Sequence, residues 1–204
     1  MSAPKNPYKK PDRFTKAAKS EGFPARSVYK LEEIDKRVRL IRPGQRVLDL
    51  GAAPGSWSIY VARTIGRTGR LLSVDLSPIA AIIGPNATVV QGDAFELSPE
   101  LLAEHGPFDV VLSDMAPSTT GNRDSDRYRS YELVMRALEV ARAHGKPGSS
   151  FVAKIFMGPE YEDARRALRE TYAEVRTLRP ETVRKNSVEV FFVATGKREQ
   201  PAGP

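Results

Sequence analysis

Short apolar runs alternate along the chain with segments in which apolar residues recur every three or four positions. Runs of four to eight such residues are typical of buried strands, whereas the longer periodic segments are typical of helices with one apolar face. The strand-like runs are 46–50, 71–75, 87–93, 108–114, 150–156, 173–178 and 187–193, and the helix-like segments are 28–38, 59–65, 130–144 and 160–171. This alternation predicts an α/β fold with a mostly parallel sheet and helices on both faces.

A glycine-containing turn, residues 51–57, joins the first strand-like run to the helical segment that follows it. A strand, a glycine turn and a helix in this order form the nucleotide-binding unit of doubly wound folds. Gly51 and Gly55 allow the backbone to approach a ligand closely. The turn lacks the G-x-G-x-x-G pattern of dinucleotide folds, and Pro54 argues against a pyrophosphate cradle.

Acidic residues end the next two strand-like runs. Asp75 stands at the end of 71–75, where a carboxylate can accept hydrogen bonds from both hydroxyls of a ribose. Asp93 stands at the end of 87–93, where it can meet an adenine amino group. Together with the turn, these two acids favour S-adenosylmethionine over NAD as the cofactor.

Charged residues also interrupt or end three later apolar runs. Lys154 lies between Ala153 and Ile155, Asp114 ends the run 108–114, and Glu189 lies within 187–193. A lysine is costly to bury unless it is paired or used. Because a buried lysine readily loses its proton, Lys154 is a candidate general base.

The chain resembles the FtsJ/RrmJ family of ribosomal RNA 2′-O-ribose methyltransferases. The matching segments run from about residue 20 to residue 197 and include 27–31, 49–58, 91–93, 113–117, 152–156 and 188–196. The family usually has a second glycine where this chain has Ser56. We expect the turn to survive this change, with a local difference beside the methionine part of the cofactor.

The resemblance implies a Rossmann-like, seven-stranded methyltransferase sheet with its last strand antiparallel. It implies Lys154 as the base, Asp114 as its orienting partner and a cofactor neighbour, and Lys30 and Glu189 as supporting residues. Like-charge repulsion from Lys30 would favour the neutral amine of Lys154. The implied cofactor contacts are Gly51, Ala52, Pro54, Gly55, Trp57, Asp75, Asp93 and Asp114. Packing at the start of the helix is an equal alternative for Trp57.

The implied substrate is a uridine of the large-subunit (23S) ribosomal RNA, as naked RNA or in the ribosomal subunit. A transfer RNA or messenger RNA cap methyltransferase, and a non-catalytic RNA-binding assembly factor, are the alternatives. The compact chain favours the ribosomal substrate over the cap or transfer RNA. A pure binder would have no need of Lys154.

Basic residues concentrate near the N-terminus. Residues 1–46 contain 13 lysines and arginines against 5 acids, a net charge of +8 in a chain whose total is +7. Basic and aromatic side chains together suit RNA phosphates and unpaired bases. We expect one domain over 13–204, with an RNA-contacting part over 13–45. Residues 1–12 read as a flexible tail or an RNA contact, and 117–128 as a mobile loop whose arginines hold RNA or face solvent.

Composition sets further bounds. With no cysteine, the chain has neither disulfides nor a thiolate metal site, and we expect no metal. No apolar run approaches membrane-spanning length, and the N-terminus lacks a signal-peptide core. We therefore expect a cytoplasmic protein, monomeric and without a protein partner.

Overall fold

The computed structural model describes residues 12–118, 120–184 and 186–199. Over these residues the chain forms one seven-stranded sheet and six helices. The strands are β1 (Arg46–Leu50), β2 (Arg70–Asp75), β3 (Ala87–Gln91), β4 (Phe108–Ser113), β5 (Gly145–Phe156), β6 (Tyr172–Leu178) and β7 (Glu189–Lys197). The helices are α1 (Arg13–Ser20), α2 (Val28–Val38), α3 (Ser56–Ile65), α4 (Pro99–His105), α5 (Arg123–His144) and α6 (Tyr161–Thr171).

The sheet has the order β3-β2-β1-β4-β5-β7-β6. Pairs among β1 to β5 are parallel, and β7 runs antiparallel to both of its neighbours. This arrangement confirms the predicted α/β fold with its one antiparallel strand. None of the helices in the described ranges is long and apolar enough to cross a membrane.

Each face of the sheet has its own apolar core, because successive side chains of a strand point to opposite faces. Helices α2 and α3 cover the face that carries Val110 and Phe191. Helices α4, α5 and α6 cover the face that carries Val111 and Phe192. Lys154 shares the first face, since it lies opposite Phe191 in the β5–β7 register.

The basic N-terminal part packs onto the domain through a third apolar cluster, made by Ala18, Phe23, Val28 and Ile59. Asp12 caps α1 by accepting a hydrogen bond from the Thr15 amide at 2.8 Å, and its carboxylate also pairs with Arg26. Helix α2 begins at Val28 as predicted for the segment, but Ser27 has helical backbone angles and its side chain makes no capping bond.

Helix α5 begins at Arg123, seven residues before the predicted start at Ser130. The prediction of a loop over 117–128 was therefore wrong from Arg123 onward. The Asn122 side chain accepts hydrogen bonds from the amides of Asp124 and Ser125, which caps the helix. The two polar turns that follow lack an apolar period, so this cap was the available sequence signal.

Lys197 binds the backbone where α5 ends and β5 begins, and its replacement tests how much this contact stabilises the fold. Its buried ammonium group donates hydrogen bonds to the carbonyl oxygens of Gly145, at 2.7 Å, and of Arg142. Lys197→Met should lower the free energy of unfolding by about 1.5–3 kcal/mol, because charged hydrogen bonds to buried carbonyls are lost. Urea denaturation measures this change. As a control, Lys36→Met removes a lysine whose side chain is 72% exposed and should cost less than ~0.5 kcal/mol; equal losses in the two variants would contradict the prediction.

Candidate active site

The predicted catalytic residues meet at one edge of the sheet. Asp114 directly follows β4, and Lys154 lies near the end of the parallel strand β5. Ser113 pairs with Ala153 in the β4–β5 register, so the next residues of the two segments, Asp114 and Lys154, lie side by side. Strand β7 runs the other way, and its first residue, Glu189, therefore pairs with Phe156 at the same edge.

Lys154 and Asp114 form a buried ion pair. The Lys154 Nζ atom donates to the Asp114 Oδ1 atom at 2.8 Å and to the Asp114 carbonyl oxygen at 2.6 Å. The Lys154 side chain is only 8% exposed. A buried lysine is tolerated when it is paired and hydrogen-bonded, and here both conditions hold. The two bonds also fix the position of the amine.

Lys30 and Glu189 form a second ion pair on the same face. Their Nζ and Oε1 atoms are 2.5 Å apart, and both side chains are largely buried. Phe191 joins the two pairs: it lies opposite Lys154 in the register, and its ring centroid is 5.8 Å from the Lys30 Nζ atom. Because Glu189 offsets the charge of Lys30, the predicted repulsion of Lys154 is weaker than an unpaired lysine would exert.

A cavity of about 400 Å³ lies beside Asp114. This size falls in the range of small-molecule sites. The lining includes four of the predicted cofactor residues, Gly51, Asp75, Asp93 and Asp114, and the apolar side chains of Leu76, Met115 and Leu133. Asp114 thus borders the cavity and also holds Lys154.

Asp75 and Asp93 each use their carboxylates to order the adjacent backbone. The Asp75 oxygens accept from the amides of Ala53, at 2.9 Å, and Ser77, at 2.7 Å. Asp93 Oδ1 accepts from the Phe95 amide at 2.9 Å. A carboxylate can accept about four hydrogen bonds, so both retain capacity for a ligand.

The two glycines of the turn are required by close packing. Gly51 has φ +77°, and a Cβ atom there would lie 2.4 Å from the Met115 Cγ atom. Gly55 has φ +106°, and a Cβ atom there would lie 3.0–3.1 Å from side-chain atoms of residues 79–83. Gly51 therefore brings the backbone to the cavity, while Gly55 packs the turn against a neighbouring segment.

Four predicted cofactor residues do not line this cavity: Gly55, described above, and Ala52, Pro54 and Trp57. Ala52 is buried, and its amide donates to the Val74 carbonyl at 3.1 Å. Pro54 is exposed. Trp57 is buried, its Nε1 donates to the Ser27 carbonyl at 2.9 Å, and its ring centroid lies 5.8 Å from that of Phe191. Of the two roles left open for Trp57, the structure supports packing.

Ser56 makes a contact that the sequence did not reveal. Its hydroxyl accepts from the Ala25 amide at 2.8 Å and donates to the Ala25 carbonyl at 3.0 Å. The side chain therefore binds the N-terminal segment to the cofactor turn. A glycine at this position could not make either bond.

Asp49, on β1, is a buried acid that sequence reasoning missed, and it does not itself line the cavity. It is fully buried, its Oδ2 atom accepts from the Ser58 hydroxyl at 2.6 Å, and its Oδ1 atom has no hydrogen-bond partner among the described residues. Burial raises the pKa of Asp49 to about 7, and the charges of Asp114 and Asp75 act in the same direction, against the Ser58 hydrogen bond. Its polarity in an apolar run was the available signal.

Acidic groups beside an open cavity suit a cationic nucleoside. Asp75, Asp93 and Asp114 border the cavity, and the charges of Asp75 and Asp114 also act on the buried Asp49. S-adenosylmethionine carries a sulfonium, the ammonium and carboxylate of its amino-acid part, a ribose and an adenine. The acids that border the cavity therefore fit it, while the contacts predicted for Asp75 and Asp93 stay predictions.

Fold and site together define a Rossmann-like methyltransferase. The chain belongs to the FtsJ-like methyltransferase family, whose model matches residues 23–197. Membership of this family confirms the resemblance and the prediction of S-adenosylmethionine as cofactor. Over 200 residues the chain is 64% identical to a ribosomal RNA large subunit methyltransferase E from Sorangium cellulosum. The aligned region covers 98% of this chain and 93% of that protein.

Two solved structures share the fold. A putative ribosomal RNA methyltransferase from Plasmodium falciparum matches with a TM-score of 0.76 and 23% identity, over 86% of this chain and 99% of that one. Fibrillarin from Aeropyrum pernix, solved with natively bound S-adenosyl-L-methionine, matches with a TM-score of 0.62 and 16% identity, over 83% of this chain and 76% of that one. At these identities the likeness supports the fold.

The raised pKa of Asp49 predicts a pH-dependent stability. An aspartate has a pKa of about 3.9 when unfolded, so between pH ~4 and ~7 the folded state binds more protons at Asp49 than the unfolded state. The free energy of unfolding attributable to this group therefore falls as pH rises through that window. Asp49→Asn should remove the fall. Urea titrations from pH 4.5 to 7.5 measure it, and curves that run parallel for the parent and the variant would contradict the assignment. Asp163→Asn, at an exposed site, is the control.

Asp75→Asn should weaken S-adenosylmethionine binding by about 1.5–3 kcal/mol, because hydrogen bonds to a charged acceptor are lost. The amide oxygen can still accept from one backbone amide, so the turn should be less disturbed than by alanine. Binding calorimetry measures the affinity, and thermal unfolding of the ligand-free protein checks the turn. Unchanged affinity would remove Asp75 from the site.

Proposed function

We propose that this protein transfers the methyl group of S-adenosylmethionine to a ribose 2′-hydroxyl of RNA, with a uridine of 23S ribosomal RNA as the substrate. The observation that carries the chemistry is the buried Lys154, fixed by Asp114, which itself borders the cofactor cavity. The substrate follows from the high identity to a large-subunit ribosomal RNA methyltransferase.

A second cavity, of about 410 Å³, is lined by both members of the Lys30–Glu189 pair. Arg26, Lys30 and Arg184 supply its basic groups, and Glu189 is its acidic one. Such a cleft suits a phosphate-bearing substrate. Since Lys30 and Glu189 are two of the four proposed catalytic residues, a nucleotide in this cleft would contact them directly.

When bound, S-adenosylmethionine supplies an activated methyl group to the attacking ribose oxygen. Lys154 first releases its ammonium proton to solvent, and the free amine then accepts the proton of the 2′-hydroxyl as that oxygen becomes a nucleophile. The carboxylate and carbonyl of Asp114 aim the amine and later stabilise the ammonium. The Lys30–Glu189 pair orders the edge of the cleft where the ribose sits, which supplies much of the rate through proximity.

The proposal includes action as a monomer, because all four catalytic side chains come from one chain. It also includes a cytoplasmic location, where ribosomal RNA would be available as a substrate.

Replacement of Lys154 tests the general base. Lys154→Ala should lower single-turnover methyl transfer by ~10²–10⁴-fold, because the proton acceptor is lost, while S-adenosylmethionine affinity changes by only a few fold. Lys154→Arg should be nearly as inactive, since arginine does not deprotonate.

Lys146→Ala is a matched control for Lys154. Lys146 lies at the opposite end of the same strand and pairs with Asp109 at 2.7 Å, so its loss should leave the rate within a few fold. Substantial activity of Lys154→Arg would exclude the general-base role. Inactivity of the parent on both ribosomal particles and naked RNA would favour a non-catalytic RNA-binding factor.

Residues 1–11 lie outside the part of the chain that the structure describes, and their RNA contact stays a prediction. Deleting them removes Lys5, Lys9 and Lys10. RNA affinity should fall, and the slope of log affinity against log salt should flatten by roughly 0.7–0.9 per lost phosphate contact. Replacing the three lysines by arginine should keep the slope. An unchanged slope after deletion would confine RNA contact to the rest of the chain.

A further inference from the structure

The loop after β3 and the helix α5 touch each other at the wall of the cofactor cavity. The Arg136 guanidinium carbon lies 3.9 Å from the centroid of the Phe95 ring, which is a close cation–π contact. Both side chains line the cavity. The pair therefore bridges two elements on the side of the cavity where Asp93 lies.

Phe95 is held by one contact of its backbone and one of its ring. Its own amide donates to Asp93 Oδ1 at 2.9 Å, which ties the residue to the carboxylate assigned to the adenine amino group. Arg136 covers the ring and so fixes its orientation. Of the described residues that line the cavity, Phe95 is the single aromatic one and Arg136 the single cation.

The positive charge of Arg136 limits which part of the cofactor can lie beside it. An arginine beside the sulfonium or ammonium would oppose binding. The cofactor's carboxylate and its adenine are the remaining neighbours for Arg136, and its contact with Phe95, whose amide binds Asp93, favours the adenine. The adenine end of S-adenosylmethionine is uncharged and presents two flat faces. Aromatic rings and planar guanidinium groups are the side chains that stack on such faces.

We propose that Phe95 and Arg136 form a paired wall that positions the adenine ring of the cofactor, with Asp93 contacting its polar edge. Both are positioning residues for the nucleoside half of the ligand. The proposal rests on the cofactor assignment and is independent of which RNA is methylated, so it can be tested without any RNA.

The test measures calorimetric affinity for two probes, S-adenosylhomocysteine and methylthioadenosine, which lacks the amino-acid part. Phe95→Leu and Arg136→Met should each weaken both probes by the same factor, about 3- to 30-fold. The double variant should lose less than the product of the two single losses, because the side chains act as a pair. Arg129→Met, at an exposed site on the same helix, should change neither affinity.

Two results would overturn the proposal. If the variants bind both probes as the parent does, while their ligand-free unfolding temperatures fall, the pair only packs α5 against the loop. If S-adenosylhomocysteine weakens but methylthioadenosine does not, the pair acts on the amino-acid half. Arg136→Lys keeps the charge without the plane, and it should recover only part of the affinity.

Discussion

The ion pair between Lys154 and Asp114 is the contact on which the arrangement of the site depends. A buried lysine on a strand with neighbours on both sides would be strongly destabilising without a partner. Strand β4 supplies that partner by ending beside β5, so that Asp114 meets Lys154 with both its carboxylate and its carbonyl oxygen. The parallel register of β4 and β5 therefore positions the two residues of the proposed chemistry.

Two cavities border the proposed catalytic residues, and their charges differ. Asp75, Asp93 and Asp114 border a cavity that suits a cationic nucleoside. Arg26, Lys30 and Arg184 line the second cavity, which we propose as the site of the RNA phosphates. Asp114 borders the first cavity, and Lys30 and Glu189 border the second, so the two ion pairs lie at the proposed sites of both ligands.

Much of this site could be predicted from local sequence patterns. Asp75 and Asp114 each end an apolar run, and parallel strands deliver such residues to a common edge. Lys154 is visible because a charge interrupts an apolar strand. Lys30 is different: it lies on an amphipathic helix, where a lysine is ordinary, and only the family resemblance connected it with Glu189. The structure then showed a direct ion pair.

Other features depend on contacts between distant residues, which a single sequence does not display. Asp49 interrupts an apolar run, but its complete burial on β1 shows only in the fold, and Ser56 matters because Ala25 lies beside the cofactor turn. Trp57 had two possible roles until α2 was placed against it. The start of α5 was predicted too late because polar residues fill the first two turns of the helix. The missing apolar period there outweighed the signal of the Asn122 cap.

The most direct test of the account is the chemical position of the transferred methyl group. Large ribosomal subunits that lack ribose methylation would be incubated with the purified protein and labelled S-adenosylmethionine, and the 23S RNA would be digested and analysed by mass spectrometry. The account predicts label on the 2′-oxygen of a uridine, at a single position. Label on a base, or no transfer to ribose in either subunits or naked RNA, would contradict it.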